Sequence, residues 1–180
     1  MKKLSKEEQK SLNYIKDKIK RPKFLNSKDF VPGKMVFFSY NPKDQESPYD
    51  KTPLIFVVWA TKKHVLGLNL HWAPLDIRRK ILKAFIKYNA DNIKKNRPLE
   101  LSKNLASKFW TLARPIFRKY IKSRISRRGA VIEPNEMGNV ISLRSEHFIG
   151  ISSEQAYKMA INSIKRKNNG SSTSSQKRRR

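Results

Sequence analysis

PLIFVVWATKKHVLGLNLHW, residues Pro53–Trp72, decides how this chain is read. Pro53 to Ala60 is crowded with Val, Ile, Phe and Trp, side chains that suit a pleated, half-buried surface. From His64 the pattern alternates. Leu66, Leu68, Leu70 and Trp72 share one face; Val65, Gly67, Asn69 and His71 share the other. Thr61-Lys62-Lys63 between the two runs is short and polar. The spacing predicts an antiparallel hairpin over 53–60 and 64–72, with helices packed on it.

Upstream, Val31-Pro32-Gly33 is a turn signal. Lys34–Tyr40 reads as a strand with Val36, Phe38 and Tyr40 on one face. Asn41–Lys51 reads as a loop with two prolines and the acidic residues Asp44, Glu46 and Asp50. At the N-terminus, Ser5 and Glu8 have capping-box spacing, and Leu12, Ile15 and Ile19 follow at helical intervals. A helix is expected from Lys6 to Lys20, ended by Pro22.

Downstream, Pro74 fits a first helical position, and Ile77, Ile81, Leu82, Phe85 and Tyr88 form an apolar stripe over 74–90. Asp91–Ser102 is expected to be a loop. Over 103–128, Leu105, Phe109 and Leu112, then Phe117, Tyr120, Ile121 and Ile125, suggest helix interrupted at Pro115 and ended by Gly129. Ala130–Ile132 begins a further strand, with Asn139–Leu143 as its expected partner. Ser152-Ser153-Glu154-Gln155 caps a last helix with Ala156, Met159, Ala160 and Ile164 inside. From Lys165 the composition turns to Lys, Asn, Gly, Ser and Arg. The expected organisation is an N-terminal helix over 1–22, an α+β domain over 23–166 and a disordered basic tail over 167–180.

Charge dominates the chemistry. The 180 residues hold 41 Lys plus Arg against 14 Asp plus Glu, a formal net charge of +27. Such a balance opposes compaction and calls for a polyanion to screen it. Nucleic acid leads, because Lys and Arg on phosphates release condensed counterions. An acidic protein surface is the alternative. No apolar run approaches the length that spans a membrane. No apolar stretch follows the N-terminal lysines, so no secretion signal is expected. Cysteine is absent, which removes disulfides, thiolate nucleophiles and Cys-ligated zinc.

From Leu101 to Ile132 there is no Asp or Glu. Surface helices usually mix signs, since like charges one turn apart repel. Arg114, Arg118, Lys119, Lys122, Arg124, Arg127 and Arg128 are therefore the expected phosphate-contacting set, with Arg78, Arg79 and Lys83 as a second patch. These supply backbone attraction, not base readout. The three histidines, His64, His71 and His147, lack the spacing of a helical metal motif, and His71 beside Asn69 suits a structural hydrogen bond. Asp44, Glu46 and Asp50 could hold Mg²⁺ for a nuclease, but acidic residues are ordinary in such a loop. No cofactor motif is present.

The order of motifs also resembles a known family. Gly33–Lys43 ends in YNPK, Pro48–Val58 reads PYDKTPLIFVV, Gly67–Trp72 reads GLNLHW, and Lys119–Arg128 reads KYIKSRISRR before Val131-Ile132-Glu133-Pro134. Over about Pro32–Phe148 this is similar to small proteins of T-even-like tailed bacteriophages, described as DNA end protectors or virion structural proteins. The resemblance implies a non-enzymatic protein without cofactor. It would act in the virion, and in the host cytoplasm during assembly. There it would sit on the double-stranded end of the packaged genome or dock on phage head, neck, portal or baseplate proteins. The expected fold is α+β: a small antiparallel sheet, with an SH3-like half-barrel as one form it can take, plus inserted and flanking helices.

Overall fold

The hairpin forms as β3 (Leu54–Ala60) and β4 (His64–Asn69), paired antiparallel from Ile55 opposite Asn69 to Ala60 opposite Val65. The computed structural model describes residues 4–20, 23–43, 48–101, 111–143, 148 and 150–174. The second strand stops three residues earlier than the alternation suggests. Asn69 Oδ1 accepts the His71 N–H at 2.9 Å, which turns Leu70–Trp72 into a 3-10 turn. Leu70 and His71 are consequently both buried.

Before the hairpin come β1 (Lys23–Phe24) and β2 (Met35–Tyr40); after it come β5 (Phe117–Ile121) and β6 (Ile125–Ile132). The six strands form one antiparallel sheet in the order β1-β6-β2-β3-β4-β5. β5 ends one edge and β6 lies beyond β2, yet the 3-10 turn Lys122–Arg124 alone joins them. The sheet must therefore curl. Across the curl the Tyr40 and Tyr120 rings lie 4.9 Å apart, and the Ile121 N–H reaches Tyr40 Oη at 3.4 Å. The result is a strongly curled, open sheet within an α+β fold.

Curling gives the sheet two buried faces. Val36, Phe38, Ile55, Val57, Val65, Tyr120 and Val131 fill the inside. Met35, Phe37, Leu54, Phe56 and Leu68 meet the helices on the outside. Alternation of Val36, Phe38 and Tyr40 thus identifies only one of two apolar faces. Helix α2 (Leu75–Tyr88) supplies Ile81, Leu82 and Phe85, with Phe85 and Phe56 rings 4.7 Å apart. Full burial of each such side chain stabilises the fold by about 1.5–3 kcal/mol. Pro74 is the residue before α2, and Tyr88 is exposed.

Helix α1 (Lys6–Lys20) starts with the expected box: Ser5 N–H donates to Glu8 Oε2 at 2.8 Å, and Glu8 N–H to Ser5 Oγ at 3.2 Å. Ile15 is buried, whereas Ile19 is exposed. A short helix α3 (Ala90–Lys94) replaces part of the loop expected over 91–102, because the buried Asn89 side chain bonds both Phe85 O and Glu100. The last helix, α4 (Ser153–Ser174), has its box between Ser152 and Gln155. Its inner face is Ala156 and Tyr157; Met159 is exposed. Tyr157 Oη donates to Leu112 O at 3.1 Å, which turns that ring inward. The helix continues to Ser174, past the point where sequence composition marks a tail.

The largest departure is the basic stretch. Arg114–Arg128 is not a helix: Arg114–Ile116 is a 3-10 turn, and then β5, the Lys122–Arg124 turn and β6 follow. Phe117, Tyr120 and Ile121 are β-formers as much as a helical stripe, and the open edge of β4 decides between them. His64 to Leu68 pair residue by residue with Ile121 to Phe117. Gly129 is mid-strand rather than a helix end. A Cβ there would strike Phe37 O and the Leu25 side chain, so glycine lets β2 and the preceding segment close on β6. The expected strand over 139–143 is absent. Pro134–Val140 forms a 3-10 helix that buries Met137 and Val140, and β6 pairs with β2 and β1 instead. Leu105, Phe109 and the helix expected from residue 103 lie, up to residue 110, outside the described residues.

Candidate nucleic-acid interface

The seven expected contact residues split into two groups. Arg114, Lys119, Arg124, Arg127 and Arg128 are exposed and Lys122 is half-buried; among the described residues none of the six has a carboxylate partner. Arg118 is built in. Its guanidinium stacks 3.4 Å from the centre of the Trp72 ring and donates to Pro115 O (2.9 Å) and Phe117 O (2.6 Å). Burial lowers its pKa to about 10, so it stays charged at neutral pH. Phe148 closes on Trp72 edge to face at 5.4 Å.

The second patch does not survive as a unit. Arg78 is fully buried. It donates to Leu70 O at 2.8 Å, to Ala73 O at 3.2 Å and to Leu143 O. It ties the start of α2 to the 3-10 turn before it and to the turn ending at Leu143. Arg79 bonds Ser142 Oγ at 3.0 Å and lies 4.0 Å from Glu8. Lys83 is exposed, in a groove it shares with Lys10, Arg79 and Glu7.

Backbone bonds fix where Lys122 and Arg124 sit. The Lys122 N–H donates to Lys63 O (2.9 Å) and the Asn41 N–H to Arg124 O (3.1 Å). The 122–124 turn is thus fixed between the hairpin tip and the end of β2. This brings Lys62 and Lys63 beside Lys122 and Arg124, a juxtaposition absent from the sequence-expected set. Lys119 stands opposite Leu66, which stands opposite Trp59, and Trp59 is 52% exposed. Lys122 Nζ lies 6.0 Å from the Phe30 ring.

Beside the turn lies a cleft of about 730 Å³. Tyr40 and Asn41 line it from β2, Tyr49 and Lys51 from the loop before β3, and Ser123, Arg124 and Ser126 from the turn and β6. Sequence spacing gives no sign of it, since these segments meet only when the sheet curls. PYDK is the local trace that Tyr49 and Lys51 leave in the sequence.

Behind the cleft sits a buried polar network. Asp50 Oδ2 is 2.8 Å from His71 Nδ1 and 3.4 Å from Asn69 Nδ2, while Asp50 Oδ1 accepts the Thr52 N–H at 3.0 Å. Asn69 Nδ2 also donates to Tyr120 Oη at 2.9 Å, and burial raises the Tyr120 phenol well above its usual range. Asp50, Asn69 and His71 are all buried. His71 makes the hydrogen bond beside Asn69 that its position suggests. Asp50 faces His71; Asp44, Glu46 and His147 lie outside the described residues. Among the described residues no group of His, Asp and Glu is arranged to hold a metal ion, and no helix is long and apolar enough to cross a membrane.

Fold and surface together define a helix-flanked α+β protein built on one curled, open antiparallel sheet, with exposed cations along the 119–128 segment. The sequence matches the family described as phage T4 terminal DNA protecting protein over residues 2–165, and the chain belongs to that family. The match extends well beyond the Pro32–Phe148 span that carries the motifs. Comparison with curated proteins and with solved structures gives no match.

Proposed function

We propose that this protein binds the end of a linear double-stranded phage genome through its phosphate backbone and shields it, without enzymatic action. Its places of action are the virion and, during assembly, the host cytoplasm. The observation that carries this reading is the run of cations along β5, the 122–124 turn and β6, exposed at Lys119, Arg124, Arg127 and Arg128 and half-buried at Lys122, with no carboxylate partner among the described residues. The family description supplies the DNA terminus. Backbone binding suits a protector, because genome ends must be held whatever their sequence.

Two measurements test it. In a salt titration with duplex DNA, log K falls with log salt with a slope of about −4.5 if five phosphates are neutralised. In a protection assay, end-labelled linear duplex keeps its label in the presence of an exonuclease and stays uncut on long incubation with Mg²⁺ and the protein alone. A flat salt response with unprotected ends overturns the proposal. Retention of phage head or neck proteins after nuclease treatment then becomes the reading to pursue.

A further inference from the structure

We propose that the cleft beside the 122–124 turn takes the unpaired terminal nucleotide of a DNA strand, so that the protein distinguishes an end from continuous duplex. This rests on the DNA-end reading above and gives it a site. The cleft, about 730 Å³, falls within the range of small-ligand pockets. Its volume is sufficient for one nucleotide.

Its chemistry matches the parts of a nucleotide. Lys51 reaches it from the loop side and Arg124 from the turn side, both exposed and without a carboxylate partner among the described residues. Together they present two cations to a phosphate. Tyr49, half-buried on the same wall as Lys51, offers a ring on which a base can stack, and a base inside a continuous duplex has no free face to give. Ser123 and Ser126 add hydroxyls that donate or accept.

Both walls are held before any ligand arrives. The loop wall is fixed by Asp50, whose carboxylate is shared among His71, Asn69 and the Thr52 N–H, and by the Tyr40 N–H on Lys51 O at 2.9 Å. The turn wall is fixed by Lys63 O and by the Asn41 N–H. A preformed cleft loses little freedom on binding. Arg124 belongs to the cleft and to the run of cations alike. A duplex lying on that run therefore brings its terminus to the cleft mouth.

The test compares affinities of the full chain for three DNAs of one duplex sequence. One is closed by covalent hairpins at both ends, one is blunt, and one carries a short single-stranded overhang; the open forms are made with 5′-phosphate and with 5′-hydroxyl. Overhang DNA is expected to bind about tenfold tighter than closed DNA, within the range one stacked base contributes. Tyr49→Ala and Lys51→Gln are expected to abolish that preference. Both should leave affinity for closed DNA and its salt slope unchanged within about twofold, which also shows that the variants fold. Equal affinity of the native protein for closed and overhang DNA overturns the cleft assignment and leaves the duplex reading standing. So does a preference that persists in both variants. Loss of binding to all three DNAs in the native protein overturns both readings.

Discussion

Two basic regions look alike in the sequence and differ completely in the fold. Helix α2 carries Arg78, Arg79 and Lys83; the segment running through β5, the 122–124 turn and β6 carries Lys119, Lys122, Arg124, Arg127 and Arg128. In α2 the arginines are consumed locally, Arg78 by three backbone carbonyls and Arg79 by Ser142 near Glu8. Along the second segment the cations have no carboxylate partner among the described residues. A run of positive residues is therefore not a binding surface until its acceptors are known. An arginine surrounded by buried carbonyls is a strut, and one surrounded by water and other cations needs an external anion.

The contrast is breakable by substitution. Arg78→Met strands the carbonyls of Leu70, Ala73 and Leu143 in the interior. At about 1–3 kcal/mol for each buried group left without a partner, a loss of roughly 3–5 kcal/mol is expected. Calorimetry should then show Tm lowered by roughly 10 °C. DNA affinity of the folded fraction should not change; a weakened salt slope with an intact Tm would reverse the assignment of Arg78.

Asp50→Ala comes next, at about 2–4 kcal/mol, because it leaves His71, Asn69 and the Thr52 N–H without their shared acceptor. Denaturant unfolding measures it. The triple change Arg124→Ala, Arg127→Ala, Arg128→Ala should do the opposite of Arg78→Met. The salt slope of DNA binding becomes shallower by about 2.7, while Tm stays within about 2 °C. A triple variant that binds with the native slope would remove these residues from the interface.

The smallest effect is a pH dependence in the acidic residues that the fold does neutralise. Burial of Asp29 works against its charge, but Lys23 at 2.7 Å and the Asn26 N–H outweigh it and hold the carboxyl below its usual value. Glu136 is lowered in the same way, burial being outweighed by Lys18 and the Glu133 N–H. A depressed folded pKa contributes stability above the unfolded pKa and loses it as pH falls through the folded one. Tm should therefore drop below about pH 4, and Asp29→Asn should make that drop shallower.

Local features were the legible ones. The boxes at Ser5/Glu8 and Ser152/Gln155 act within one turn, and the β3–β4 hairpin spans a tip of three residues. Phe117, Tyr120, Ile121 and Ile125 satisfy a helical period as well as a strand; only the distant edge of β4, and β2 for Ile125, separates the two. Burial of Arg78 was invisible because one of its acceptors, Leu143 O, lies 65 residues away. The charge run marks a stretch whose cations have no carboxylate partner among the described residues, Arg118 being stacked on Trp72. It could not show that Lys62 and Lys63 lie beside it, since that depends on how the sheet curls.

Curling of the sheet has a kinetic consequence. β2, β3 and β4 are neighbours in sequence and can pair early, but β6 reaches β2 only after the whole segment carrying α2 and α3 has been laid down. Bringing such distant segments together is entropically slow, so the seam between β2 and β6 is the natural last step of folding. An incompletely folded chain would hold every lysine and arginine and still lack the surface they make together. DNA that engages only the closed form would then act as a clasp on that seam, raising the population of the finished sheet by mass action.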